Sequence, residues 1–420
     1  MRIDRELKAP HVRANPYPFY ARLRKTAPVV EGAHPILGPA YYLTRYEDVY
    51  NALKDPRFVN DRANAVEGGG ALFDRWWMPR ILKLFQKNMV SQDEPNHRRL
   101  RNLVHKAFTP RMIENLTARV EQMVGEMLDT ASRKPTADLI AELALPLPLN
   151  VISEMLGVPP PQRLEFRRML SRFLESTQSP VGFLLSYPSA VGMERFFRGM
   201  VKLRREQPAD DLMTALVQAE EAGDQLDEDE LISMIFLLLF AGYETTVNLI
   251  GNGTLALLEN PEQLQKLREH PELIDSAVEE LLRYTNPVEM PGPRFAREDV
   301  EIQGVKIPRG STVFPLLASA NRDEAAFENP DTLDITRNPN RHVAFGYGIH
   351  YCLGAPLARL EGRIALQTLV QRFPEMQLAV PSDKLRWSKN PGLRGLKALP
   401  LHLSGTGARP NELPATSAAA

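Results

Sequence analysis

The chain has 420 residues, 43% of them hydrophobic and 25% charged, an ordinary balance for a globular protein. Its 51 basic and 52 acidic side chains leave a formal charge of -1, so no global field favours nucleic acid or an anionic membrane. The one cysteine excludes an intramolecular disulfide and fits a reducing compartment.

Met1 to Glu6 has no apolar h-region, so a cytoplasmic protein without a secretory signal is expected. Residues 41–44 read as a short strand, and a helix follows from Tyr46 to just before Pro56. From about His97 to Glu280 the pattern is overwhelmingly helical. One helix stops after 151–156, ahead of Pro159, and another starts at the capping aspartates Asp210 and Asp211. The longest helix opens on the acidic turn Asp227-Glu228-Asp229-Glu230 and runs to about Leu258, ~30 residues or roughly 45 Å. It is apolar nearly all round in its middle, as a helix at the centre of a large domain must be. The apolar run 231–243 contains Ser233 and falls short of the ~20 residues that span a bilayer, so no membrane partner is expected. After Pro287 strands take over. Residues 300–310 read as a tight hairpin continuing into 312–314, and an irregular segment covers 325–341. A final helix spans 357–373, residues 385–403 read as a β-ribbon, and 405–420 form a flexible, Pro/Ala/Ser/Gly-rich tail. The sum is a mainly α protein with small β-sheets (α+β), one domain over 1–404.

The most specific local pattern is Phe345-Gly346-Tyr347-Gly348-Ile349-His350-Tyr351-Cys352-Leu353-Gly354. Three glycines let the backbone turn tightly and approach a flat object, and Cys352 stands where the turn meets a helix start that favours thiolate. A lone cysteine is ordinarily a core residue, so the weight rests on other segments. Glu280 and Arg283 share a helix face at i,i+3. Glu244 and Thr245 interrupt the long apolar helix with an acid and an alcohol. His97 and Arg101, at i,i+4, can face one partner together.

Taken together these segments resemble the cytochrome P450 family, in that family's order and over residues 17–403. The resemblance implies a triangular, mainly helical domain with the long helix over a haem b. Cys352 is then the thiolate ligand of the iron, Phe345 packs beside the sulfur, and Gly346 and Gly354 permit amide hydrogen bonds to it. His97, Arg101, Arg294 and His350 take the haem propionates. Ala241 and Gly242 leave room for oxygen, Glu244 and Thr245 relay the protons that its reduction consumes, and Thr246 supports the helix. Glu280, Arg283 and Arg337 form a buried structural triad. Leu237, Phe240, Ala241, Val288, Met290 and Leu393 are the expected substrate pocket. Glu289 is a polar anchor or points away, and Trp76 and Trp77 either lid the site or cover surface. Segments 71–90 and 178–191 are the expected access loops.

The implied activity is that of a stand-alone monooxygenase of secondary metabolism. It acts on a fatty acid, terpenoid, steroid or macrolide-like molecule, by hydroxylation or epoxidation. The chain carries no flavin-binding segment and no cysteine cluster, so electrons from NAD(P)H must come through a separate ferredoxin or flavodoxin with its reductase. Arg98, Arg99, Lys106 and Arg359 are the expected docking face on a monomeric enzyme. A peroxide-driven peroxygenase and a noncatalytic haem sensor are the alternatives. The Glu244–Thr245 pair weighs against both.

Overall fold

The computed structural model describes residues 3–34, 37–66, 87–108, 110–163, 165–166, 168–170, 187–221, 227–390 and 392–403. The central helix, Glu228–Glu259, is 32 residues long and starts where expected. Asp227 accepts from the Glu230 amide at 2.6 Å while the Glu230 carboxylate accepts from the Asp227 amide at 3.1 Å, a reciprocal capping box. Pro261 ends the helix, because the residue before a proline avoids α geometry. Every residue from Leu231 to Phe236 is buried, so this segment has no solvent face. The helix is long and apolar enough to cross a membrane, but 67% of its most apolar window is buried inside the protein, as in a core helix.

Against it pack the helices Pro146–Met155, Ile274–Thr285 and Ala355–Arg372, and Thr117–Ala131 packs on the last of these; their apolar faces merge into the main core. Gly362 on Ala355–Arg372 permits close approach, since a Cβ there would lie 2.7 Å from the Leu249 side chain. Asp211 caps Leu212–Glu221 by accepting from the Thr214 amide at 2.8 Å, as its position predicts.

The strands are short: β1 (Val29–His34), β2 (Gly38–Leu43), β3 (Phe58–Val59), β4 (Ala137–Asp138), β5 (Arg294–Ala296), β6 (Val300–Ile302), β7 (Val305–Ile307), β8 (Thr312–Pro315), β9 (Gln377–Leu378) and β10 (Pro400–His402). One sheet has the order β1-β2-β8-β5-β3 and a second the order β4-β10-β9. In the first, β2 and β8 are parallel and the other pairs antiparallel. The β6–β7 hairpin turns through Gln303 (φ 52°) and Gly304 (φ 75°), two left-handed residues that match the strand twist. The sheet matters to the site because β5 carries Arg294 to the cavity edge.

The ribbon expected over 385–403 is present but short: the Trp387↔Leu396 bridge is flanked by backbone hydrogen bonds from Lys397 to Arg386 and from Ser388 to Gly395, both 2.8 Å, and β10 follows. Side chains brace it: the Arg394 guanidinium lies 3.7 Å from the centre of the Trp387 ring and donates to the carbonyls of Arg13 and Ala14. Residues 67–86, 171–186 and 404–420 lie outside the described residues. They include Trp76, Trp77, the tail and most of both expected access loops.

Candidate active site

The Cys352 loop is shaped by its glycines. Gly346 (φ 70°) and Gly348 (φ 72°) occupy the left-handed region, and a Cβ on Gly348 would stand 2.8 Å from the Leu53 carbonyl oxygen. The Cys352 amide donates to the Phe345 carbonyl at 3.0 Å and closes the loop. The sulfur meets the start of Ala355–Arg372, where the amides of Gly354 and Ala355 hydrogen-bond to it. Burial pushes the thiol pKa up, while those amides and the guanidinium groups of Arg101 and Arg359 pull it down. A bound cation reverses the burial penalty, because it stabilises the thiolate directly. Cys352 faces a cavity of about 820 Å³.

Six basic side chains line that cavity, Arg62 and Lys87 along with the expected His97, Arg101, Arg294 and His350. The His97 and His350 rings lie 4.3 Å apart, and His97 Nδ1, His97 Nε2 and His350 Nε2 are buried without a hydrogen-bond partner among the described residues. Burial, then Arg294, His97 and Arg101, force the His350 imidazole down to about 2. Burial and then Arg101 lower His97, and burial lowers Arg294 to about 10. Neither arginine makes an ion pair among the described residues. A buried cluster of cations and unpartnered imidazoles is costly alone and is completed by anions. Two carboxylates on one flat group, the propionates of a haem held through Cys352, fit this donor set.

The central helix lines the same cavity with Leu237, Ala241, Gly242 and Thr245. The Thr245 hydroxyl donates to the Ala241 carbonyl at 2.8 Å and Thr246 to Gly242 at 3.2 Å, each bonding back one turn. Glu244 is not on the cavity wall. It sits beside the threonine, and burial alone raises its carboxyl pKa. Val288 lines the cavity, as do Leu238, Leu249 and Pro291–Pro293, which sequence periodicity did not single out.

Three expected pocket residues lie elsewhere. Phe240 stacks on Phe236 at 5.8 Å, in an aromatic row that continues to Phe197, because packing inside the helical core captures the ring. Met290 packs into the N-terminal cluster with Phe314. The amides of Glu289 and Met290 both donate to the Gly392 carbonyl, at 3.0 and 3.2 Å, and this bulge breaks the strand alternation. Leu393 pairs with Val288 from behind and is not on the described cavity wall. Glu289 points away, to Arg13.

The triad forms as expected. Glu280 and Arg283 are both fully buried. Arg283 donates to Glu280 at 2.7 and 2.8 Å, and Arg337 Nε donates at 3.1 and 3.2 Å. The Asn340 amide and the Asp334 backbone N–H complete the carboxylate's shell, at 3.1 and 3.0 Å. Nothing in the local sequence marks either.

The expected basic face is largely neutralised. Arg99 is bidentate to Glu230 (2.6 and 3.1 Å), Arg359 is bidentate to Glu279 (2.6 and 2.8 Å), and Arg98 pairs with Glu94 at 3.0 Å. The Lys106 side chain lies outside the described residues. Arg359 also stands 4.6 Å over the Phe345 ring, so it braces the cysteine loop.

Comparison with known proteins agrees with this geometry. The Cytochrome P450 family model matches residues 192–393. The polyketide biosynthesis cytochrome P450 PksS of Bacillus subtilis (strain 168) is 44% identical over 393 residues, 93% of this chain and 96% of that protein. Its solved structure matches with a TM-score of 0.88 at 43% identity, covering 95% of this chain and 99% of that one. The 6-deoxyerythronolide B hydroxylase of Saccharopolyspora erythraea is 40% identical over 393 residues, 93% of this chain and 96% of that protein. The crystal structure of myxobacterial cytochrome P450 CYP267B1 in complex with myristic acid matches with a TM-score of 0.86 at 39% identity, covering 95% and 99%. This chain therefore belongs to the cytochrome P450 family and is an enzyme of its monooxygenase class.

Proposed function

We propose that the chain hydroxylates or epoxidises an apolar small molecule: RH + O2 + 2 e⁻ + 2 H⁺ gives ROH + H2O. The observation that carries this is one cavity lined by Cys352 and Thr245 together with Leu237, Leu238, Leu249 and Val288. Haem, when bound through Cys352, supplies the redox centre at which oxygen is reduced. The chain's own residues supply placement and protons. The Gly354 and Ala355 amides steady the sulfur's negative charge. His97, Arg101, Arg294 and His350 receive the propionates. Thr245 keeps its hydroxyl hydrogen on the Ala241 carbonyl, and rotation about χ1 frees it toward the cavity. Glu244 refills the threonine, since burial makes its carboxyl hold a proton more readily than an exposed one.

For the substrate, the apolar wall and the relatives' names point the same way. One relative is named for polyketide biosynthesis, another is named a 6-deoxyerythronolide B hydroxylase, and a third holds myristic acid. A polyketide, macrolide or fatty acyl compound is the class we assign. Electrons come from NAD(P)H through a separate, acidic ferredoxin or flavodoxin in the cytoplasm. The partner rests on the cysteine loop, where Tyr347, Ile349 and Tyr351 are exposed. Tyr347 lies 4.2 Å from Tyr50, and Lys54 stands 4.3 Å over Tyr50. Exposed Arg341 adds a second cation at this patch.

The test is reconstitution with a surrogate ferredoxin and reductase, screening these three compound classes by spin-state shift and then by product mass. Substrate-dependent consumption of NADPH and oxygen with one oxygen gained in the product is expected. Turnover supported better by hydrogen peroxide, or no substrate-dependent consumption across the classes, contradicts the reading.

A further inference from the structure

We infer that the buried Arg13–Glu289 ion pair is a positioning device: it sets where Val288 stands in the cavity wall, and so how tightly the chain holds the apolar part of its substrate. The inference rests on the functional reading above.

Arg13 belongs to the short helix Pro10–Ala14, far from the cavity in sequence, yet its side chain is only 9% exposed and that of Glu289 only 1%. The guanidinium donates in three directions: to the Glu289 carboxylate, to the Leu393 carbonyl at 2.8 Å and to the Ser388 carbonyl at 3.2 Å. Leu393 is the bridge partner of Val288, and Glu289 is the next residue after Val288. One side chain therefore grips both strands of the bridge from behind, while Val288 lines the cavity in front.

The grip is itself anchored. Arg394 donates from its backbone to Pro287 at 3.1 Å and from its guanidinium to the Arg13 and Ala14 carbonyls at 2.8 and 3.0 Å. Its own carbonyl accepts from Asn252 Nδ2 at 2.7 Å, two helical turns beyond Thr245 on the central helix. The wall and the relay helix are thus fastened to one polar spine.

A pair whose only task was stability would satisfy every atom, because buried charges otherwise cost more than apolar packing. Glu289 Oε1 has no hydrogen-bond partner among the described residues. What a planar, multidentate guanidinium adds over packed methyl groups is fixed geometry, and the bridge it fixes carries a cavity residue.

The experiment compares the haem-loaded parent with Glu289→Gln, with Val288→Ala and with both together. An Arg13→Met/Glu289→Met variant decides if Glu289→Gln does not fold, since it removes both charges and keeps apolar volume. The reduced CO spectrum reports thiolate-bound haem in each. Dissociation constants are then measured for imidazole and for 1-dodecylimidazole, which bind iron through the same ring and differ in the chain that meets the wall. With Glu289 changed, imidazole is expected to stay within about twofold while 1-dodecylimidazole weakens about fivefold, roughly the contact of one methylene. Glu289→Gln on top of Val288→Ala adds nothing further, because the first acts through the second. Equal changes for both ligands, no change, or fully independent effects of the two substitutions overturn the inference. A parent that lacks the thiolate spectrum fails the functional reading instead.

Discussion

Thr245 holds its hydrogen on a carbonyl one turn back, so removing the hydroxyl costs the helix only one side-chain bond and, in the relay proposed above, removes the last donor. Thr245→Ala is expected to retain haem and substrate binding, while coupling of electrons to product falls by about tenfold or more and hydrogen peroxide accumulates. Peroxide assay against product yield checks this; unchanged coupling contradicts the relay, unless the substrate brings its own hydroxyl. A second residue-scale prediction concerns Glu279. Burial works to raise its carboxyl, yet hydrogen bonds from Arg359 and His342 hold it at about 2, down from 4.5. The unfolded chain therefore binds more protons there, and the stabilisation is whole above about pH 5 and declines as pH falls toward 2. Acid titration of the melting temperature should flatten in Glu279→Gln. At this scale the sequence made legible what is local, as in the tight turn of Gly346 and Gly348 that leads to Cys352. It failed for Met290, because a bulge at a carbonyl 102 positions away in sequence resets which way the residue faces, a contact no periodicity encodes.

Elements show a similar division. The central helix was legible from end to end because its start is a capping box and its stop a proline, both written within a few residues. Asp227→Ala is expected to fray that start at a cost of about 1 kcal/mol, visible as faster amide exchange over its first turn. The Glu280 helix, Ile274–Thr285, carries a far heavier dependence. Glu280 satisfies two guanidinium groups, an asparagine and a backbone amide at zero exposure. Glu280→Gln leaves buried cations short of a charge and is expected to cost about 3–5 kcal/mol, read as loss of soluble, haem-loaded protein. Recovery of fully loaded protein with an unchanged melting temperature contradicts that role. The ribbon over 385–403 was legible as antiparallel pairing, which the structure holds to the Trp387↔Leu396 bridge with its two flanking backbone hydrogen bonds and to β10.

For the whole molecule, the charges expected to guide a redox partner turn out to brace the fold. Arg99 finds Glu230 across 131 positions and Arg359 finds Glu279 across 80, distances at which a linear reading sees only free cations. What remains exposed over Cys352 is an aromatic and aliphatic patch. Ile349→Glu should therefore slow reduction by an acidic ferredoxin about tenfold, while Arg99→Glu leaves that rate within about twofold and lowers stability instead. Stopped-flow reduction under CO separates the two, and the opposite ranking contradicts the docking proposal. All of this presupposes that the cavity's two sides meet at one haem held by Cys352. The reduced, CO-bound absorption spectrum of the haem-loaded chain tests that most directly. A Soret band at the thiolate position is expected; an imidazole-like band in well-folded protein contradicts the account.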